Sequence, residues 1–252
     1  MAGETLGDWL GKAPFTLTMS SGFFGFYAHT GFVRALLDAG LRPAAFTGSS
    51  AGALVAGCIA SGLAPSDLAR ELVAIERRDF WDPRPGLGLL AGRKFRARLE
   101  RMLPVARVEA CTSPLAVSVF DVATRRTRVV REGHLADTLR ASCAVPFLFH
   151  PVWLDGRPTL DGGILDRPGL DGVAPGARTL MNHLTSRSPW RRAAPQSMEV
   201  PRREGLTVLA IEGLPRSGPT RLDAGRAALK RAEEAAKRAL GAPVEALVRV
   251  KA

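Results

Sequence analysis

The chain is short of aromatic side chains, which make up 6% of its 252 residues with a single tyrosine among them, and it holds only three cysteines. Scarce rings argue against a nucleic-acid module, which interleaves its cations with aromatics that stack on bases. Cys58, Cys111 and Cys143 lie far apart without CxxC or Cys/His spacing, so neither a disulfide framework nor a zinc site is expected. They read as small core residues. No apolar run approaches the roughly 18 residues of a membrane span. The opening stretch, MAGETLGDWLGKAPF, lacks the basic and apolar regions of a secretory signal. The expectation is a cytoplasmic protein, free or at the periphery of a membrane.

Acidic residues are also in deficit, with 24 Asp and Glu against 35 Lys and Arg and a net charge of +11. The cations gather at 84–101, 125–131 and 187–203. Such clusters suit an anionic lipid surface, and equally a plain solvated one. Hydrophobic residues at 46% and charged residues at 23% are ordinary for a globular chain. Without a visible repeat or linker, one domain is the simplest organisation. Nothing in the sequence speaks to oligomeric state.

Periodicity supplies the elements. A strand is expected over 15–20, a glycine-containing turn over 20–25, and a helix over 29–39 that ends at Gly40. A strand over 44–47 runs into Gly48-Ser49-Ser50-Ala51-Gly52, followed by a buried helix over 53–60. This order implies parallel strands with right-handed crossovers, hence an α/β fold with a mainly parallel sheet between helices. Residues 71–103 read as helical around a Pro/Gly-rich break at 82–92. Two strands are expected over 115–130, and a helix over 135–142 stopped by Pro146. Asp155-Gly156 suits a hairpin between 151–154 and 158–160. Residues 186–204 read as a loop and 206–212 as a last strand. Thr220 with Asp223 forms a capping box for a helix to Leu240, with Leu222, Leu229, Ala232, Ala236 and Leu240 on one face.

The segment 48–52 has the Gly-x-Ser-x-Gly pattern between a strand and a helix, the context in which a sharp turn exposes a nucleophilic serine. Gly48 and Gly52 relieve crowding at that elbow, and the helix start behind Ser50 favours negative charge. Ser50 needs a base. Of His29, His134, His150 and His183, only His183 follows a mid-chain acid as a Ser/acid/His triad requires. Asp161, flanked by Gly162 and Gly163, offers instead a two-residue site. Asp155 is a rival carboxylate better explained by its hairpin.

Gly48 to Gly52, the run Ala141-Ser142-Cys143-Ala144-Val145-Pro146 with Phe149, Pro151 and Asp155-Gly156, and Asp161-Gly162-Gly163 together resemble the patatin-like phospholipase family over about 15–185. The resemblance implies a three-layer patatin-like sandwich, a Ser50 nucleophile, Asp161 as its base, and hydrolysis of lipid or phospholipid esters through an acyl-enzyme without metal or cofactor. The glycine-rich oxyanion loop departs from the family pattern: Ser20-Ser21-Gly22-Phe23-Phe24-Gly25 has no basic residue, and His29-Thr30-Gly31 follows one residue late. Gly22, Phe23, Phe24 and Gly25, with Ala51, are the expected oxyanion donors. The altered loop also leaves open a non-catalytic lipid-binding relative, while Phe23, Phe24 and Phe26 have a plainer role buried under the sheet edge. Leu87, Leu89 and Leu90 suggest an apolar lid over an acyl pocket, and Trp190 among arginines an interface anchor.

Overall fold

The structure, a computed structural model, describes residues 3–185 and 200–252. In chain order the first half holds α1 (Leu6–Gly11), β1 (Thr16–Met19), α2 (Phe26–Asp38), β2 (Ala45–Ser49), α3 (Ala51–Ala60), α4 (Pro65–Val73), β3 (Gly88–Leu90) and α5 (Arg93–Met102). The second holds β4 (Leu115–Asp121), β5 (Arg126–Val130), α6 (Leu135–Ser142), β6 (Phe147–Phe149), β7 (Val152–Leu154), β8 (Arg157–Asp161), β9 (Thr179–Leu184), β10 (Leu206–Glu212), α7 (Leu222–Leu240) and β11 (Leu247–Lys251). The central sheet runs β11-β10-β9-β1-β2-β4-β8-β7, with β5 on β4. The strands from β11 to β4 are parallel, and β5, β7 and β8 add antiparallel pairs at one side.

Alternation along the strands sorts the two faces. Leu17, Met19, Phe46, Leu180 and Leu209 join the main core with α2, α3, α6 and α7. Thr18, Met181 and Val208, paired across three strands, look the other way. Met181 and Val208 pack there with Leu170, and the Thr18 and Thr47 hydroxyls donate to the Gly169 carbonyl at 2.9 and 2.8 Å. The third layer near these strands is therefore irregular chain, fastened by the buried Asp166, whose carboxylate accepts from Ser118 Oγ and the Gly169, Leu170 and Asp171 amides.

The differences from the sequence reading have physical causes. All six residues of β9 are buried, so a strand covered on both faces shows no alternation. Helix α1 and strands β3 and β11 are likewise additions to the elements expected from periodicity. Helix α2 starts at Phe26 and α3 directly after Ser50, earlier than periodicity implied. The capping box on α7 does not form: Arg221 is the N-cap, without a side-chain bond, and Asp223 pairs with Arg226. The Pro/Gly break at 82–92 holds β3, which pairs with β6.

Two edges of β4 determine where the site falls. β5 lies along Val117–Asp121, so β2, on Leu115–Ser118, and β8, on Val119–Asp121, must share the opposite edge. β2 ends at Ser49 opposite Ser118, and β8 takes over with Asp161 opposite Val119. Ser50 and Asp161 meet at that handover.

Helices α2 and α7 touch along their lengths because each supplies a glycine at the crossing. A Cβ on Gly31 would fall 2.0 Å from the Leu229 carbonyl oxygen, and one on Gly225 2.4 Å from the Tyr27 ring. Overpacking of this kind costs about 1–3 kcal/mol. Gly31→Ala is expected to lower stability by about 2 kcal/mol, or about 4–8 °C in Tm; an unchanged melting curve would contradict the close crossing.

Candidate active site

Ser50 sits on the turn from β2 to α3 with φ +53° and ψ −123°, a conformation unfavourable for any side chain. Its neighbours must be glycine: a Cβ on Gly52 would lie 2.0 Å from the Met19 carbonyl oxygen, and one on Gly48 2.7 Å from the Ala53 amide. The strained turn is pinned from outside. Ser50 N–H donates to Ser142 Oγ at 2.9 Å, and Ser142 Oγ donates to the Ser118 carbonyl at 2.7 Å. Helix α6 and strand β4 thus fix the backbone of Ser50.

Asp161 closes β8, with its amide donating to the Ala144 carbonyl at 2.9 Å. Ser50 Oγ donates to Asp161 Oδ2 at 2.6 Å, and the Gly163 amide donates to Oδ1 at 2.8 Å. Both following glycines are needed for the approach: a Cβ on Gly162 would lie 2.1 Å from the Ser118 carbonyl oxygen, and one on Gly163 2.3 Å from Ser21 Oγ. Burial pushes the Asp161 carboxyl up to about 6, opposed by the hydrogen bonds from Ser50 and Gly163.

The pair opens into a cavity of about 450 Å³. Leu54 and Val55 of α3, Leu68 and Leu72 of α4, and Leu99 and Met102 of α5 make it apolar. Phe23, Phe24 and Phe26 also line it and are half-buried, so they face the cavity and do not lie beneath the sheet. Phe24 holds φ +54° within a cluster of rings, 5.0 Å from Phe23, 5.3 Å from Phe26 and 5.8 Å from Phe80, while its carbonyl accepts from Ser217 Oγ at 2.9 Å. The Gly25 amide is committed to the Gly22 carbonyl at 2.8 Å. Those of Gly22, Phe23, Phe24 and Ala51 have no acceptor among the described residues.

The family model for patatin-like phospholipases matches residues 17–173, a stretch that contains the elbow, Ser142 and Asp161. The chain belongs to the patatin-like phospholipase family. Relatives within reach include uncharacterized NTE family proteins of Mycobacterium bovis and Mycobacterium tuberculosis, 30% identical over 153 residues, which is 60% of this chain and 42% of each relative. This patatin-like chain therefore spans less than half the length of the curated relatives it matches. The crystal structure of VipD from Legionella pneumophila superimposes with a TM-score of 0.64 at 14% identity, covering 90% of this chain and 66% of that one. That likeness is one of fold.

Within the patatin-like fold the histidines stand apart from Ser50. His183 follows Asn182 on β9 and so points to the face opposite α2, where both ring nitrogens are buried without a hydrogen-bond partner among the described residues. Burial and the nearby Arg167 and Arg249 push its pKa down to about 4. His183 makes no hydrogen bond to Ser50 or Asp161 and does not line the cavity, so nothing among the described residues supports a Ser50/acid/His183 triad. His29 is structural: Nε2 bonds the Ser20 carbonyl at 2.7 Å and Nδ1 meets Asn182 Nδ2 at 3.0 Å, an arrangement that a neutral ring protonated on Nε2 satisfies. Asp155 occupies the hairpin turn at φ +51° before Gly156 and pairs with Arg128. The lid expectation fails, since Leu90 is buried and Leu87 and Leu89 are exposed without lining the cavity. Trp190 lies outside the described residues. Cys143 lines the cavity and Cys111 is half-buried, so only Cys58 is fully a core residue. Among the described residues no cluster of three His, Cys, Asp or Glu is placed to hold a metal.

Ser142 and Ser217 were missed as positioning residues. Ser142 lies in the run 141–146, which gives no sign of what its hydroxyl bonds; Ser217 acts across 193 residues with no local signal.

Because the folded chain holds the Asp161 proton up to about pH 6 while the unfolded chain releases it near 3.8, this group's contribution to stability falls as pH rises between those values. The stability of Asp161→Asn relative to wild type should therefore improve from pH 4 to pH 7 in paired urea titrations. A difference independent of pH would contradict the burial argument.

Proposed function

We propose that the chain is a serine hydrolase of lipid or phospholipid acyl esters, working through Ser50, Asp161 and an acyl-enzyme intermediate without a cofactor. The observation that carries this reading is the 2.6 Å Ser50 Oγ to Asp161 Oδ2 hydrogen bond at the opening of an apolar cavity of about 450 Å³. Membership of the patatin-like phospholipase family supports the reaction class. Above pH 6 Asp161 is a buried carboxylate with one oxygen held by Gly163 and the other facing the serine proton, a base near the optimum for neutral pH.

In this reading Ser50 Oγ attacks the acyl carbonyl while its proton passes to Asp161. The carbonyl oxygen becomes an oxyanion, met by the amide of Ala51 at the start of α3 and by amides of Gly22, Phe23 and Phe24. Each such donor is worth about 2.7–4 kcal/mol of barrier. The bond to the leaving oxygen then breaks, and that oxygen takes the proton from Asp161. Water next gives a proton to Asp161 and attacks the acyl-serine; the fatty acid departs as Ser50 recovers its proton. Because oxyanion stabilisation uses backbone N–H groups, phenylalanine at 23 and 24 is compatible with the step, and the rings serve as cavity wall. The non-catalytic alternative rests on the altered loop alone, whereas the contact between the elbow serine and the carboxylate favours catalysis.

Ester length is the direct test. Each methylene buried in the cavity contributes about 0.8 kcal/mol, so kcat/KM for a series of p-nitrophenyl esters should climb about fourfold per carbon until the cavity fills. The same parameter should rise with pH through about 6. Ser50→Ala should abolish turnover with the fold retained. Full activity in that variant, or no dependence on chain length, would overturn the proposal.

A further inference from the structure

Two walls of the catalytic cavity come from α4, with Leu68, Leu72 and the following Ile75, and from α5, with Phe95, Leu99 and Met102. On α5 those three residues follow one another at helical spacing, and Arg98 shares their face and also lines the cavity. A guanidinium on an otherwise apolar wall is costly unless it is paired. Arg98 is paired: its side chain is 15% exposed, Nη2 donates to both the carbonyl and the carboxylate of Glu71 at 2.8 Å, and Nη1 lies 3.4 Å from the Asp79 carboxylate. Because Glu71 stands on α4, the side chain crosses from one wall to the other. Its methylene stem therefore bounds the cavity between them.

A second cation holds the same end of α4. Arg226 of α7 donates to the Val73 carbonyl at 2.9 Å and to the Ile75 carbonyl at 3.4 Å, and it does not line the cavity. Both arginines complement the helix dipole there. Only Arg98 does so from within the cavity. None of its bonds reaches the elbow, the 20–25 loop or Asp161.

We infer that Arg98 is a specificity-determining residue that closes the gap between α4 and α5 and so limits the length of acyl chain the cavity accepts. The inference deepens the lipid-ester reading and rests on it for the identity of the occupant. An acyl chain on Ser50 lies first along Leu54 and Val55, about 6 Å further along α3, and then between the α4 and α5 walls. A chain that ends there meets the apolar stem of Arg98. A longer one has to pull the guanidinium away from Glu71 and Asp79, which leaves a charge unpaired beside a hydrocarbon.

Chain-length profiles of wild type, Arg98→Ala, Arg98→Met and Arg226→Met, each shown to be folded by circular dichroism, test this in two ways. One is kcat/KM on p-nitrophenyl esters of increasing length; the other is displacement of a fluorescent fatty acid by saturated fatty acids of the same lengths. Arg98→Ala removes stem and head, and should raise the ratio of long-chain to short-chain kcat/KM about tenfold or more, the worth of about two methylenes. Arg98→Met keeps most of the stem without the fork and should shift the profile in the same direction by less; it carries the test if the alanine variant does not fold. Arg226→Met loosens the same end of α4 and should lower Tm with the length profile unchanged, so a merely structural role for Arg98 would show as two arginines behaving alike. If every ester fails, the fatty-acid profile decides alone, which separates loss of the hydrolase reading from loss of this one. The inference is overturned if folded Arg98 variants keep the wild-type length profile, if they weaken all lengths equally, if Arg226→Met shifts the profile as far, or if no fatty acid binds.

Discussion

The site depends on one strand edge being shared by two partners. β2 pairs with β4 up to Ser118, and β8 continues along the same edge from Val119. The chain leaving β2 turns sharply at Ser50 because β8 occupies the space ahead, and Asp161 arrives at that vacated position. Their 2.6 Å hydrogen bond is thus a consequence of strand register and not of a flexible loop. Glycines at 48, 52, 162 and 163 make the convergence sterically feasible, since each marks a spot where a Cβ would strike backbone or a serine hydroxyl.

Around this pair the fold places supports that take no part in bond making. Ser142 bridges Ser118 to the amide of Ser50, so the strained elbow, the helix α6 and the shared strand move as a unit. His29 ties the start of the phenylalanine loop to β9, Ser217 holds Phe24 from the far end of the sequence, and Gly31 lets α7 close over α2. The His-Thr-Gly run is accordingly architectural: its threonine hydroxyl bonds the Phe26 carbonyl within α2.

What the sequence revealed followed from local physics. The elbow was legible because a serine between glycines after a strand has few other uses, and Asp161 because two glycines after a carboxylate signal close approach. The hairpin at Asp155-Gly156, helix α6 and strand β10 were legible from turn chemistry and periodicity. Strand β9 was not, since burial on both faces erases alternation, and that omission also hid the direction in which His183 points. Nor was the position of Leu87 and Leu89 legible, because whether an apolar pair covers a cavity or faces solvent depends on the pairing of β3 with β6. The capping box at Thr220 was a pattern without its structure, replaced by an ion pair one turn into α7.

The central claim is that a lone carboxylate activates Ser50 without an imidazole. The rate at which a fluorophosphonate labels Ser50 tests it most directly, compared among wild type, Asp161→Asn and His183→Gln in protein shown to be folded. A base of this kind contributes about 10²–10⁴-fold, so labelling should slow by that factor in the asparagine variant and stay near wild type in the glutamine variant. Undiminished labelling after the loss of Asp161, or its collapse after the loss of His183, would contradict the account.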